Sequence, residues 1–524
     1  MENKKRECLI FWVIFLAAFA VRCIGFVSVP AGINQDEAMA GVDAWALSLY
    51  GTDRFGIRLP VHFTAWKYGQ MSVLLSYCMV PFIKLFGFST FSVRLPMLLA
   101  SCGSVALVYL VGRQLFSSRM ALGLMLLAAI NPWHFMQSRW SLDCNLFPHV
   151  FLLAVWLLLM GLKKKRYLYL SMVFFGLTFY CYGVAAYSVP LFLAVYAGWC
   201  LWKKQLQLRD VLLCVFFFLL VALPEILVLA INFFGASTIE TPLFTMSYFP
   251  ESIRSTDILF LNFSFAQLGR NFLAMVKTCI WQTPDYLYNA LPAFGPMYHI
   301  SIPFMLLGIV LFTRDLFVEK NVARQTGMLA LWGNLVTGVW VGLITFEVNV
   351  NRINIIFFPL IFMCGYGIAA VVKRCGRAVF LIGIAYGTCF VLFLGTYFTS
   401  FAEGIKTYFN VNFLEIVEEA DAMEECDVLY ITGNMDWQYN RSMAEILTHY
   451  ACKIDAAYYQ GKTDVTGGRK LLPYNERYHF IDVENLKDAE DGIYLVHISE
   501  LDKIPFEFRV VKESGKYCLV QPAD

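Results

Sequence analysis

Two acidic side chains stand side by side at Asp36 and Glu37, in VPAGINQDEAMAGVDAWALSLYGTDRFG, about seven residues past the end of a long apolar stretch. A third, Asp143, closes the short polar segment NPWHFMQSRWSLDCN, which lies at another break between apolar runs. A carboxylate so placed can take the proton of an attacking hydroxyl. Cations can hold a phosphate as it departs, and three are candidates: Lys67 in TAWKYGQM, Arg352 in FEVNVNRINIIFFPL, and Arg58 between the acidic pair and Lys67. A guanidinium grips two phosphate oxygens, whereas an ammonium acts as a point charge. The same cations at helix ends would equally serve as snorkelling anchors.

The elements that must position these groups are membrane elements. Of the 524 residues, 59% are hydrophobic and 15% charged, against roughly 45–50% and about 25% in soluble domains. The net charge of +2 gives no nucleic-acid surface. Apolar windows of about 17–25 residues fall near 8–29, 90–112, 119–136, 146–162, 167–183, 184–202, 210–234, 298–313, 326–346, 353–372 and 378–400. They predict about eleven spans. The segment 70–87 is also apolar, but its Pro81 and Lys84 suit a helix lying along the interface. Excluding it puts Lys4, Lys5 and Arg6, Arg113 and Arg119, Lys163 to Arg166, Lys203 and Lys204, Arg314 to Arg324, and Lys373 to Arg377 on the cytoplasmic side together. The segments 30–89, 137–145, 235–297 and 401–524 are then expected outside.

Beyond residue 400 the composition becomes that of a soluble domain. VLYIT (428–432), YHFIDV (478–483), GIYLVHI (492–498) and FRVVKESGKYCLVQ (508–521) read as strands, with RSMAEILTHYACK a helix after the first. The expected organisation is a membrane-embedded domain over 1–400 and a small extracytoplasmic α/β domain over 401–524, accessory or acceptor-docking in role. The fifteen cysteines form no Cys-x-x-Cys pair, and Cys426, Cys452 and Cys518 allow at most one disulfide. His134 and His299 lack ligand-like spacing to a second histidine. Glu225, deep in a predicted span beside Pro224, reads as a protonated structural carboxyl.

The order of these features, from first span to Asp-Glu loop, interfacial helix, a span opening VRLPMLLA and then NPWHFMQSRWSLD, resembles the family 39 membrane glycosyltransferases of the GT-C class. That family includes the aminoarabinose lipid A transferases and the protein O-mannosyltransferases. The resemblance runs over roughly 8–400 and is strongest over 30–145. It implies an inverting transfer of a sugar from a polyprenyl-monophosphate carrier to an acceptor hydroxyl at the outer face of the plasma membrane. Asp36 would then be the base or orient it, with Glu37 its neighbour and Asp143 near the acceptor. Lys67 and Arg352 would lie on the donor phosphate. In WQTPDYLYNALPAFGPMYHI the aromatics and amides suit a sugar cleft, giving Gln282, Asp285, Asn289 and Tyr298 as contacts. Asp36, Glu37 and Asp143 could also hold a divalent cation, although the resemblance makes no cofactor obligatory. A transporter or flippase of lipid-linked sugars is the alternative function. The acceptor, whether lipid, polymer or protein, is open.

Overall fold

The computed structural model describes residues 2–66, 70–250, 264–423 and 427–523, with Asn3 described in its backbone alone. Packing divides the chain into two compact units, one of 1–26, 95–237 and 252–401, the other of 27–94, 238–251 and 402–524.

The first unit is helical. Its helices include Glu2–Cys23, Ser118–Ile130, Asp143–Gly161, Lys165–Leu177, Ala185–Trp202 and Leu208–Phe234, followed by Ile302–Val318, Val322–Ile344, Phe357–Arg374 and Ala378–Thr396. Together with Thr90–Leu115, these occupy all the apolar windows read from the sequence. Among the described residues eight helices are long and apolar enough to cross a membrane, and the chain is a polytopic, mainly α-helical membrane protein. Ser118–Ile130 and Lys165–Leu177 have 13 residues each, about 20 Å of helix. The window expected over 119–136 is broken in two because Asn131 ends one helix and starts the next, Pro132–Gln137. Its side chain accepts the His134 N–H at 3.0 Å, and Pro132 takes the first turn, where no donor is needed. Ile302–Val318 and Phe357–Arg374 approach so closely that a Cβ on Gly308 would stand 1.7 Å from the Met363 carbonyl oxygen. Small residues permit such backbone contact between membrane helices.

Arg139 is fully buried. It donates to the carbonyls of Arg22, Ile24 and Gly25 at 2.6, 2.8 and 2.6 Å, satisfying acceptors that the end of the first helix leaves unpaired.

The second unit gathers chain that is far apart in sequence. Helix Gln35–Tyr50 begins at Asn34, whose side chain caps it by accepting the Asp36 N–H at 3.0 Å, and ends at Gly51 in the left-handed region. It packs against helix Leu74–Phe86, which buries one stripe, Leu75, Ser76, Met79 and Ile83, at the spacing of a single helical face. Strands β1 (Ile239–Glu240) and β2 (Thr245–Met246) form a short antiparallel ladder. β3 (Leu429–Thr432) opens the C-terminal sheet and is followed by a second small ladder, β4 (Val465–Thr466) with β5 (Arg469–Lys470). β6 (Tyr478–Ile481), β7 (Ile493–His497), β8 (Phe508–Ser514) and β9 (Tyr517–Pro522) complete the sheet in the order β6-β3-β7-β9-β8. β3 pairs parallel with β6 and β7, the others antiparallel, and helix Arg441–Ala451 lies between β3 and β6 in the chain. The strands and helix expected from the sequence are all present. The run 508–521 folds back on itself as β8 and β9, turning at Gly515 with φ +58°, where a Cβ would meet the Asn412 amide nitrogen at 2.2 Å. Cys452 and Cys518 are free thiols, and Cys426 lies outside the described residues.

Candidate active site

In the second unit the acidic pair sits on the first turn of helix Gln35–Tyr50. Successive residues of a helix point about 100° apart, and the two carboxylates diverge accordingly. Asp36 is half-buried, and the Trp66 indole N–H donates to its Oδ1 at 2.5 Å. Glu37 is turned inward onto Arg94, whose Nε and Nη2 donate to its two oxygens at 2.8 and 2.9 Å. Both side chains of that pair are fully buried. Arg94 also donates to the carbonyls of Pro30 and Gly32 at 2.7 and 2.8 Å. It thereby fixes the chain that leads into the helix.

Glu37, expected beside Asp36 at the reaction, is therefore the inner half of a buried fork-to-fork ion pair. Nor do the two acids open together toward a cation, because Glu37 faces a guanidinium. Among the described residues no three His, Cys, Asp or Glu side chains converge as a metal site would require. Trp66 and Arg94, the partners of the two carboxylates, were not singled out by sequence reasoning, although both stand within quoted segments, TAWKYGQM and VRLPMLLA.

The same unit holds a second set of buried charges. The fully buried Asp43 carboxylate accepts the Arg54 guanidinium at 2.5 Å. The turn after the helix is closed by Asp53, whose Oδ1 accepts the N–H groups of Phe55 and Ile57 at 3.0 and 2.9 Å. Burial, helped by the neighbouring Asp43 charge, pushes Asp53 up to about 7. Arg58 follows on this turn, exposed and without an ion pair among the described residues. It lines a cleft of about 820 Å³ together with Trp66 and Tyr248. Lys67 lies outside the described residues.

In the first unit Asp143 is buried and opens helix Asp143–Gly161, where the helix dipole favours negative charge. Its Oδ1 accepts the Cys144 N–H at 2.7 Å. The loop before helix Phe357–Arg374 is fastened to this region. Asn354 donates to the Cys144 carbonyl at 2.6 Å, and Gln137 donates to the Asn351 side chain at 3.4 Å. Arg352, between those two asparagines, is half-buried. Its guanidinium donates to the Glu347 carbonyl at 3.1 Å and makes no ion pair among the described residues.

The aromatic and amide segment before helix Ile302–Val318 differs from its expected role. Gln282 is fully buried, donating to the Cys279 carbonyl at 2.6 Å and accepting the Met297 N–H at 2.7 Å. The Tyr298 hydroxyl donates to the Ile130 carbonyl at 2.8 Å from a residue that is only 2% exposed. Asn289 is buried and donates to Asp285, whose other oxygen accepts the Val350 N–H at 2.6 Å. Where a loop is buried it must pair its own backbone groups, and the buried side chains of this one serve that need. Gln282, Asn289 and Tyr298 are thus committed to the framework, whereas Asp285 stays exposed. His134 is buried too, its ring 5.6 Å from that of His149, with Nδ1 2.9 Å from the Arg22 guanidinium.

Residues 71–227 match the family described as dolichyl-phosphate-mannose-protein mannosyltransferase. The fold is similar to that of ArnT from Cupriavidus metallidurans bound to undecaprenyl phosphate, with 14% identity, 98% of this chain and 97% of that chain covered, and a TM-score of 0.54. It is also similar to the Archaeoglobus fulgidus oligosaccharyltransferase in complex with zinc and sulfate, with 12% identity and a TM-score of 0.53. That likeness covers 84% of this chain and 61% of the other, so this chain spans about three-fifths of that protein. No curated protein matches the sequence. The resemblance to the GT-C membrane glycosyltransferases thus holds in sequence over 71–227 and in fold over nearly the whole chain.

Proposed function

We propose that this chain, built on the fold of the GT-C membrane glycosyltransferases, transfers a sugar from a polyprenyl-monophosphate carrier to an acceptor hydroxyl. The observation that carries the reading is the Trp66 N–H held 2.5 Å from Asp36, which fixes a carboxylate on the first turn of a capped helix. In the proposed step the acceptor oxygen attacks the anomeric carbon, the bond from that carbon to the phosphate oxygen breaks, and the phosphate leaves with the electron pair. Asp36 takes the acceptor's proton. A single displacement inverts the anomeric centre.

Charge grows on the leaving phosphate, and cations positioned for it lower the barrier. Arg352, uncommitted to any carboxylate among the described residues, and Lys67 fill that role in the proposal. Glu37 acts through Arg94 as a positioning residue, and Asp143 stands on the acceptor side. The reaction is assigned to the outer face of the plasma membrane, with the N-terminus inside and the C-terminal α/β domain outside.

The deciding experiment follows sugar release from radiolabelled polyprenyl-monophosphate carriers by the purified protein in lipid. Asp36→Asn is expected to cut release by about 10⁴, the upper end of general-base effects, while membrane insertion persists. Release at the wild-type rate in that variant would remove Asp36 from the mechanism. Labelled lipid crossing the bilayer without any release would replace the transferase by a flippase.

A further inference from the structure

The 820 Å³ cleft lies entirely within the second unit, and its size falls in the range of about 300–1,000 Å³ typical of small-molecule sites. Three stretches of chain build it. The turn closed by Asp53 supplies Phe55 and Arg58, and the strand-like segment beyond it supplies Thr64 and Trp66. The β1–β2 hairpin forms a second wall and is laced to the first, since Val61 N–H donates to the Thr245 carbonyl at 2.9 Å and Thr245 N–H to the Leu59 carbonyl at 3.3 Å. Ser442, on the first turn of helix Arg441–Ala451, brings in the C-terminal domain.

The lining has the chemistry of a carbohydrate site. Trp66, Tyr248 and Phe55 supply aromatic rings to the lining, and Thr64, Thr238 and Ser442 supply hydroxyl-bearing side chains. Sugars present apolar C–H faces flanked by hydroxyls, so an alternation of rings and hydroxyls matches them. Among the described residues the lining carries one cation, Arg58, and one anion, Glu240. A site for a multiply phosphorylated headgroup would gather guanidinium groups instead, and one for a strongly charged peptide would carry an excess of one sign. Trp66 is shared: the indole that lines the cleft is the one that donates to Asp36.

We infer that this cleft binds the acceptor and that the acceptor is an uncharged oligosaccharide. The inference rests on the transferase reading for the word acceptor, and on the cleft alone for the ligand class. It gives the C-terminal α/β domain a part in acceptor choice through Ser442.

The test uses the full chain in lipid nanodiscs and titration calorimetry with four probes: a neutral tetrasaccharide of glucose, one of N-acetylglucosamine, a serine- and threonine-rich peptide, and a bisphosphorylated disaccharide glycolipid. A tetrasaccharide is expected to bind, and Tyr248→Ala and the cleft-filling Ser442→Trp should each weaken it at least tenfold. Binding of the peptide or the phosphorylated glycolipid alone, binding of no saccharide, or saccharide binding unmoved by both variants would each overturn the assignment. Carrier-linked sugar release, measured in the same nanodiscs with each probe in turn supplied as acceptor, separates the two readings. Release without saccharide binding sinks only the acceptor class. Saccharide binding without release leaves a glycan site on a protein that is not the proposed transferase.

Discussion

Two polar loops that read alike in the sequence do opposite things in the structure. The segment after the first helix keeps Asp36 and Arg58 partly or fully exposed and spends Glu37, paired with Arg94 of the next long helix, and Asp53 on holding its own shape. The segment 282–298 spends its buried side chains. Gln282 and Tyr298 bond to main chain, and Asn289 to the Asp285 carboxylate. Chemistry-bearing residue types in a loop therefore mark a site only where the loop's backbone is satisfied by other means. In the first segment a capped helix, a buried ion pair and an Asp turn supply those means.

That contrast breaks first at Arg94. Arg94→Ala leaves Glu37 buried without its partner and should cost about 3–5 kcal/mol, read as a lowered thermal midpoint of the solubilised protein. A midpoint within 1 °C of wild type would mean that the frame of the first loop lies elsewhere. Next comes Trp66→Phe, which keeps the ring in place and deletes one charge-assisted hydrogen bond to Asp36, a loss of about 1.5–3 kcal/mol. Sugar release should fall about tenfold to a hundredfold with the thermal midpoint little changed. If the midpoint falls and release does not, Trp66 belongs with the framework residues.

Asp53 sharpens the comparison through pH. Its folded-state value near 7 lies above the unfolded value of about 3.9, so between these two pH values the folded protein holds a proton that the unfolded chain has lost. Stability should therefore fall as pH rises from about 4 to about 7 and level off above that. Asp53→Asn, which mimics the protonated form, should flatten this part of the profile of thermal midpoint against pH. The smallest effect is expected in the second loop. Tyr298→Phe removes one hydrogen bond to a carbonyl, about 1 kcal/mol, and should leave the Michaelis constants for donor and acceptor within twofold. A tenfold rise in either would return Tyr298 to the site and dissolve the contrast.

The spans and the C-terminal sheet were legible because hydropathy and alternation are local properties, summed over many residues. Asn131 and Gly515 adjusted that reading by one helix break and one hairpin, through cap and turn chemistry that a window average smooths away. Asp36 was legible as a type in a place. The direction of Glu37 was available in principle from the Asn34 cap and the 100° step of the helix, but only once residue 35 was known to start a helix. The bond from Trp66 spans 30 residues of chain, and the cleft joins segments almost 400 residues apart. No spacing rule reaches that far. The bonds of Gln282 and Tyr298 were hidden for the converse reason, since the backbone donors and acceptors they satisfy become visible only after the loop has closed.

The second unit is assembled from the beginning, the middle and the end of the polypeptide. Ile33 N–H donates to the Phe409 carbonyl at 2.8 Å, Asn410 donates back to the Ile33 carbonyl at 3.1 Å, and the Tyr50 hydroxyl donates to Asp455 at 2.9 Å. On the ribosome, the Asp36 loop must therefore wait, unsupported on that side, until some 400 further residues have been made and threaded. The segment beyond residue 401 works as a keystone, and a premature stop just before it spares the helices of the first unit yet leaves the Asp36 loop without these contacts.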